Sequence, residues 1–351
     1  MPRLRVAKEG PADFRTISAA LAAMAAVEAD PRGAEVGHRG GDEAVISIAA
    51  GIYREKLRIE RPGVTLIGEG RDTTVISWDD HATKPLPSGE PMRTFNSYTL
   101  YIGSPDFQAR DLRVENSAGD GRAVGQAVAC YVDADRAAFY GCEFLARQDT
   151  LCLGPLPTNP LPKGLNPVHP VAIAKAGDES WPFRHYFADC RIEGDIDFIF
   201  GSAAAVFEDC DIISLERGEA VNGYVTAPST LPGQRHGFVF LDCRLGGNAA
   251  KGSVFLGRPW RASAKAAFLR CDLGGHIAES GWDNWDNPTN ERSAEFAEFE
   301  NRGPGAAENR RGAANRRVAW ARMLDGEAAS RFTPPAVLSG ADGWSPWTKS
   351  L

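Results

Sequence analysis

Tyr186-Phe187-Ala188-Asp189-Cys190-Arg191-Ile192 is answered 20 positions later by Val206-Phe207-Glu208-Asp209-Cys210-Asp211-Ile212, and this pair of segments decides the fold. The same order of apolar residue, turn residue, cysteine, charged residue and second apolar residue occurs in Phe139–Phe144, Phe240–Leu245 and Phe268–Leu273. Cysteines 142, 190, 210, 243 and 271 are separated by 48, 20, 33 and 28 residues, a period in the low twenties broken by insertions. Such a repeat marks a solenoid, whose units bury their apolar faces only against one another. Alternation and β-branched or aromatic content around each cysteine favour short strands over helices. The expected fold is therefore all-β, a parallel β-helix with the cysteines of successive coils stacked inside as small buried hydrophobes.

A solenoid must cover its ends, or its open strand edges pair with other molecules. The stretch from Asp13 to Met24 offers an N-cap followed by alanine-rich helical spacing, and a capping helix is expected over about 13–27. Strands are expected to begin with Ala44–Ala49 and Val64–Gly68, each bounded by turn residues. The repeat ends near 275, so residues 276–351, rich in Trp, Asn, Pro and Gly, are expected as an irregular tail packed along the outside. Residues 154–180 are Pro-rich and interrupt the repeat; a loop of that length is expected to be functional. The whole of 1–351 reads as one domain.

Composition narrows the function. The chain has 351 residues, 43% hydrophobic and 24% charged, with a net charge of −7, which argues against nucleic acid and leaves any acidic substrate to local groups. No uninterrupted apolar span is long enough for a membrane helix. The N-terminus shows no apolar export signal, and 7 cysteines without a Cys-x-x-Cys pair suit a reducing compartment rather than zinc or disulfides. The expected location is cytoplasmic. His81, His169, His185, His236 and His276 show no metal spacing, and neither metal nor cofactor is expected.

Two aspartates stand out. Asp197 lies in Gly194-Asp195-Ile196-Asp197-Phe198-Ile199-Phe200-Gly201, and Asp149 in Gln148-Asp149-Thr150-Leu151. A carboxylate among large apolar residues is costly unless partnered. The two acids are 48 residues apart, of which the insertion takes about 27; the remainder is about one coil, and coils stack at about 4.8 Å, so both carboxylates fit side by side on one face. Gln126 in Gly125–Ala129, Gln148, and Arg258 and Trp260 in Leu256-Gly257-Arg258-Pro259-Trp260 complete a set of two acids, two amides, a guanidinium and an indole. Bland readings stand beside these: Asp149 as a solvated turn residue, Gln126 and Gln148 as an amide ladder, Arg258 as the neutraliser of a structural Asp197, Trp260 as packing. Tyr224 and Thr226 suit either a cleft wall or a plain strand, and Phe200 is read as lining the cleft beside Asp197.

These motifs, with Gly51-Ile52-Tyr53-Arg54-Glu55, occur in order from about Gly10 to about Phe332 and resemble carbohydrate esterases of the pectin methylesterase (pectinesterase) type. The resemblance implies a right-handed parallel β-helix and hydrolysis of galacturonate methyl esters in pectin or oligogalacturonides. It implies Asp197 as nucleophile, Asp149 as general acid and then base, Gln126 and Gln148 as oxyanion donors, and Arg258 and Trp260 as parts of the cleft. Neutral amides stabilise a tetrahedral oxyanion without quenching the attacking carboxylate. Asp197 has to ionise, which a guanidinium favours by lowering its pKa, while Asp149 has to begin protonated. The chain departs from common members in lacking an export signal, in the 154–180 insertion, and in Asp195 at an often small position that the sequence alone does not place. The first two departures shift the expected substrate toward short or imported oligogalacturonides. An esterase acting on another acylated sugar or a thioester, a second enzyme class (polygalacturonase or pectate lyase), and a non-catalytic carbohydrate-binding β-helix are the competing readings.

Overall fold

The structure is a computed structural model that describes residues 3–29, 43–157, 183–307 and 316–348. Its strands form three parallel sheets running the length of one coil, of eleven, eight and seven strands among the described residues. One turn shows the plan: Ala204–Glu208 belongs to the eleven-stranded sheet, Asp211–Ser214 to the eight-stranded one and Gly223–Pro228 to the seven-stranded one, before Phe238–Leu241 rejoins the first.

The cysteine repeat is the corner between the first two of these sheets. Gly141, Asp189, Asp209, Asp242 and Arg270, each just before a cysteine, have φ between 50° and 59°, the left-handed region that turns the strand sharply. Aspartate and glycine are favoured there over bulkier residues. The five cysteines are fully enclosed, and the Sγ atoms of Cys190, Cys210, Cys243 and Cys271 each lie 3.4–3.6 Å from a carbonyl of the preceding coil. Beside them Phe139, Phe187, Phe207, Phe240 and Phe268 occupy one register. Their rings stack at 4.7, 4.7, 4.5 and 4.3 Å with interplanar angles of 11° or less.

The capping helix spans Ile17–Ala29, starting later than expected. Thr16 Oγ1 accepts from Ala19 N, and the Glu55 carboxylate accepts from Ile17 N and Ser18 N at 2.9 and 2.8 Å, supplying acceptors that a helix start lacks. Asp13 is occupied elsewhere, taking the Arg5 N–H at 2.7 Å. Ile17, Ala20 and Met24 enter the core and cover the first coil. The strands at Ala44–Ile48 and Val64–Ile67 are present, preceded by an additional one, Arg3–Val6.

The tail divides in two. Glu295–Phe299 and Arg322–Met323 add strands to the eleven-stranded sheet, so the coil outlasts the cysteine repeat. Trp282 replaces the phenylalanine ladder there, stacked on Phe296 at 4.4 Å. From Gly326 onward the tail runs outside, where Val337, Leu338, Trp344 and Trp347 pack on Tyr140, Tyr186 and Val206. Most of the 154–180 insertion lies outside the described residues.

Candidate active site

The acids stand at the corner that leads into the seven-stranded sheet. Glu143–Leu145 passes through Arg147-Gln148-Asp149-Thr150 into Leu151–Leu153, and one coil later Arg191–Gly194 passes through Asp195 into Ile196–Gly201. Leu151 pairs with Ile199, so Asp149 falls opposite Asp197, and Asp149 N donates to Ile196 O at 3.1 Å. Gly194 permits this tight corner, since a Cβ there would sit 2.7 Å from Arg147 O and 2.2 Å from the Phe198 Cβ. Gln126 is one coil further back, tied through Ala127 N to Gln148 O at 3.1 Å.

Both aspartates have left-handed backbone, φ 65° at Asp149 and 50° at Asp197. At Asp197 it coincides with a register break between Ile196 and Ile199 against the next strand, a bulge that re-aims side chains. Phe198 enters the core, while Asp197 meets Arg258. Arg258 Nε and Nη2 donate to Asp197 Oδ1 and Oδ2 at 2.9 and 2.7 Å. Arg258 in turn lies between the rings of Tyr224 and Trp285, at 3.8 and 3.9 Å.

The two carboxyls have unequal surroundings. The Asp149 carboxyl has no hydrogen-bond or ion-pair partner among the described residues, and burial, followed by the Asp197 charge, pushes it well above the usual range. Burial also raises Asp197 although Arg258 pulls it back. The expected lowering of Asp197 is thus corrected: desolvation outweighs the guanidinium. The order survives, with Asp149 the more strongly raised of the two.

The side-chain amides of Gln126 and Gln148 make no hydrogen bond among the described residues, and no amide ladder joins them. Phe200 is almost wholly buried, in edge contact with the half-buried Trp260 at 6.0 Å. Phe200 sits above Cys152 and Tyr131 in register, in an aromatic layer that includes Tyr98, Tyr101 and Leu156. Thr226 is a correction to the cleft-wall reading. It is fully buried, in register with core residue Ile199, and its hydroxyl donates to Leu256 O at 2.9 Å.

Trp285 and Asp283 escaped the sequence reading. Asp283 Oδ1 accepts from Trp285 N at 2.7 Å and so shapes the turn that presents the indole to Arg258. The signal was available in Trp282-Asp283-Asn284-Trp285, two tryptophans about an acid in a stretch with no repeat. Among the described residues no group of His, Cys, Asp and Glu has the arrangement of a metal site.

A pectinesterase family model matches residues 3–154 and 180–341. The chain belongs to the pectinesterase family. Pectinesterase 31 of Arabidopsis thaliana is 32% identical over 337 residues, 94% of this chain and 90% of the relative. The pectinesterase of Daucus carota is 31% identical over 361 aligned positions, 99% of this chain and 95% of its own. A crystal structure of pectin methylesterase in complex with hexasaccharide VII matches with a TM-score of 0.75 at 29% identity, covering 99% of this chain and 98% of that one. The coil is the right-handed parallel β-helix of pectinesterases, and the chain is a carboxylic ester hydrolase.

Proposed function

We propose that this pectinesterase hydrolyses the methyl esters of galacturonate units through a covalent aspartyl intermediate. The observation that carries this reading is the contrast between the facing acids: Asp197 is held by Arg258, while the Asp149 carboxyl is unpartnered among the described residues and strongly raised. The Asp197 carboxylate attacks the ester carbonyl, and Gln126 and Gln148 donate to the oxyanion. As the carbonyl–methoxy bond breaks, the Asp149 proton goes to the leaving oxygen and methanol departs, leaving an anhydride between Asp197 and the sugar carboxyl. Asp149 then takes a proton from water, whose oxygen opens the anhydride and restores Asp197. Trp260, beside Phe200, supplies an apolar face for a sugar ring.

Asp197→Asn tests this directly, because asparagine tolerates the left-handed backbone and still offers Arg258 an oxygen. Methanol release should disappear while the melting temperature stays near that of the parent. Retained turnover would reject Asp197 as nucleophile. We also propose short galacturonides in a reducing compartment as the natural setting. All seven cysteines are unpaired, which supports the compartment, and the insertion between the acids supports the shorter substrate. Methylated trigalacturonate should be turned over faster than long pectin; the reverse preference argues for the polymer.

A further inference from the structure

Asp195, two residues before Asp197, has no solvent exposure. Gly223 of the next coil packs on its backbone, where a Cβ would lie 1.8 Å from the Asp195 carbonyl oxygen. A carboxylate without exposure is strongly destabilising unless cations meet it. Arg147 Nε lies 3.0 Å from its Oδ2 and Arg217 Nη1 lies 3.6 Å from Oδ1, while Oδ1 also accepts from Ile196 N at 2.7 Å.

The location gives this cluster its meaning. Arg147 precedes Gln148 and Asp149 as Asp195 precedes Ile196 and Asp197, so the ion pair sits two residues ahead of the facing acids on both coils. Backbone links run alongside: Asp195 N donates to Arg147 O at 2.9 Å, and Thr150 Oγ1 to Glu193 O at 2.7 Å. Arg217 reaches the same place. A Cβ on Gly121 would lie 3.3 Å from both Arg217 Nη1 and Gln148 Oε1 and 3.0 Å from the Gln148 Cβ, so guanidinium, amide and glycine close on one point. The Gln148 oxygen thus lies on the side where Arg217 stands.

We propose that Asp195 is a positioning residue for the esterase reaction, its ion pair with Arg147 clamping the two acid-bearing corners together and balancing the charge around Asp149. The inference rests on the aspartyl reading above. The charged groups that face Asp149 are Asp197, Arg258 and Asp195. Those around Asp195 are Arg147 and Arg217, with Arg122 beyond them, itself paired to Asp120. Glu216 contributes its carbonyl, which accepts from Arg147 Nη2 at 2.6 Å.

Two variants move this balance in opposite directions. Asp195→Asn leaves Arg147 and Arg217 uncompensated, which favours ionised Asp149. Asp149 has to be protonated to release methanol, so the alkaline limb of the rate profile moves to lower pH. Arg147→Gln leaves the Asp195 charge less opposed, which favours protonated Asp149 and moves that limb to higher pH. Each shift should reach about half a pH unit, the order expected of one charge at several ångströms. The loosened corner should lower kcat by about ten- to a hundredfold with KM changed far less. The double variant, a neutral amide pair, should return the limb to near its original position.

The experiment is the pH dependence of methanol release by the three variants, together with the titration of the Asp149 side-chain carbon by NMR in the ligand-free protein. Opposite displacements in both readouts support the proposal. Folded variants with an unmoved limb and parental kcat overturn it, as does a shift of both single variants in one direction. If Asp195→Asn does not fold, Arg147→Gln and the double variant decide by the same criteria. An inactive parent protein would defeat the aspartyl reading, whereas the NMR titration would still judge the charge balance.

Discussion

Arg258 grips Asp197 through two parallel hydrogen bonds of 2.9 and 2.7 Å, and stacking on Tyr224 and Trp285 leaves the guanidinium little freedom to leave. The planar fork both orients the carboxylate and opposes the desolvation that raises it. Lysine supplies the charge but neither the second parallel bond nor the stacked plane. Arg258→Lys should therefore lower kcat by about a hundredfold, the scale of a misplaced reacting group. In the proposed mechanism Asp197 attacks as the ionised carboxylate, and weaker support raises it further, so the acidic limb of the rate profile should move to higher pH. A parental acidic limb in this variant would remove Arg258 from the control of Asp197.

Gln148 is the next test. Its amide is uncommitted to other described residues, and its Oε1 lies on the Gly121–Arg217 side. If the nitrogen serves the oxyanion, Gln148→Ala should cost about 10²–10³ in kcat with a smaller change in KM. Loss confined to KM would make it a binding residue.

The phenylalanine ladder predicts stability rather than activity. Phe207 is fully buried between Phe187 and Phe240, with ring separations of 4.7 and 4.5 Å. Phe207→Ala opens a cavity that stacked neighbours on both sides have little room to fill. The expected cost is about 3–5 kcal/mol, measured by denaturant unfolding. A loss below about 1 kcal/mol, smaller than a buried phenylalanine normally costs, would mean that the column collapses to fill the gap.

What was readable in the chain followed from how each feature is encoded. The coil was legible because its corners reuse a left-handed residue before a buried cysteine, at Asp189, Asp209 and Asp242, and that demand is local. Asp149 and Asp197 were legible for the opposite reason, as charges in contexts that a soluble surface does not need. The added coil at Glu295–Phe299 was hidden because aromatic packing of Trp282 on Phe296 supplies its core without the cysteine signature. Asp195 was visible but unplaceable, since Arg147 and Arg217 are distant in sequence and converge only through the stacking of coils. Thr226 stayed open between cleft wall and plain strand because the burial that separates the two readings comes from neighbouring coils, through Leu256 and Ile199.

Asp149 carries the last prediction, that the site's chemistry costs the fold stability. A carboxyl raised in the native state binds its proton more tightly folded than unfolded. Below the unfolded value, about 4, both states are protonated and the group has no effect. As pH rises through that value the unfolded chain ionises first, and stability falls until the folded carboxyl also ionises, after which the loss is constant. A neutral amide in place of the Asp149 carboxyl escapes this penalty, and asparagine tolerates the φ of 65° found there. Asp149→Asn should thus melt close to the parent near pH 4 and progressively above it toward pH 8, while losing methanol release. Thermal unfolding across that range measures the gap. A gap that stays flat with pH would mean that Asp149 is solvated and ordinary, and would withdraw the protonated acid from the mechanism.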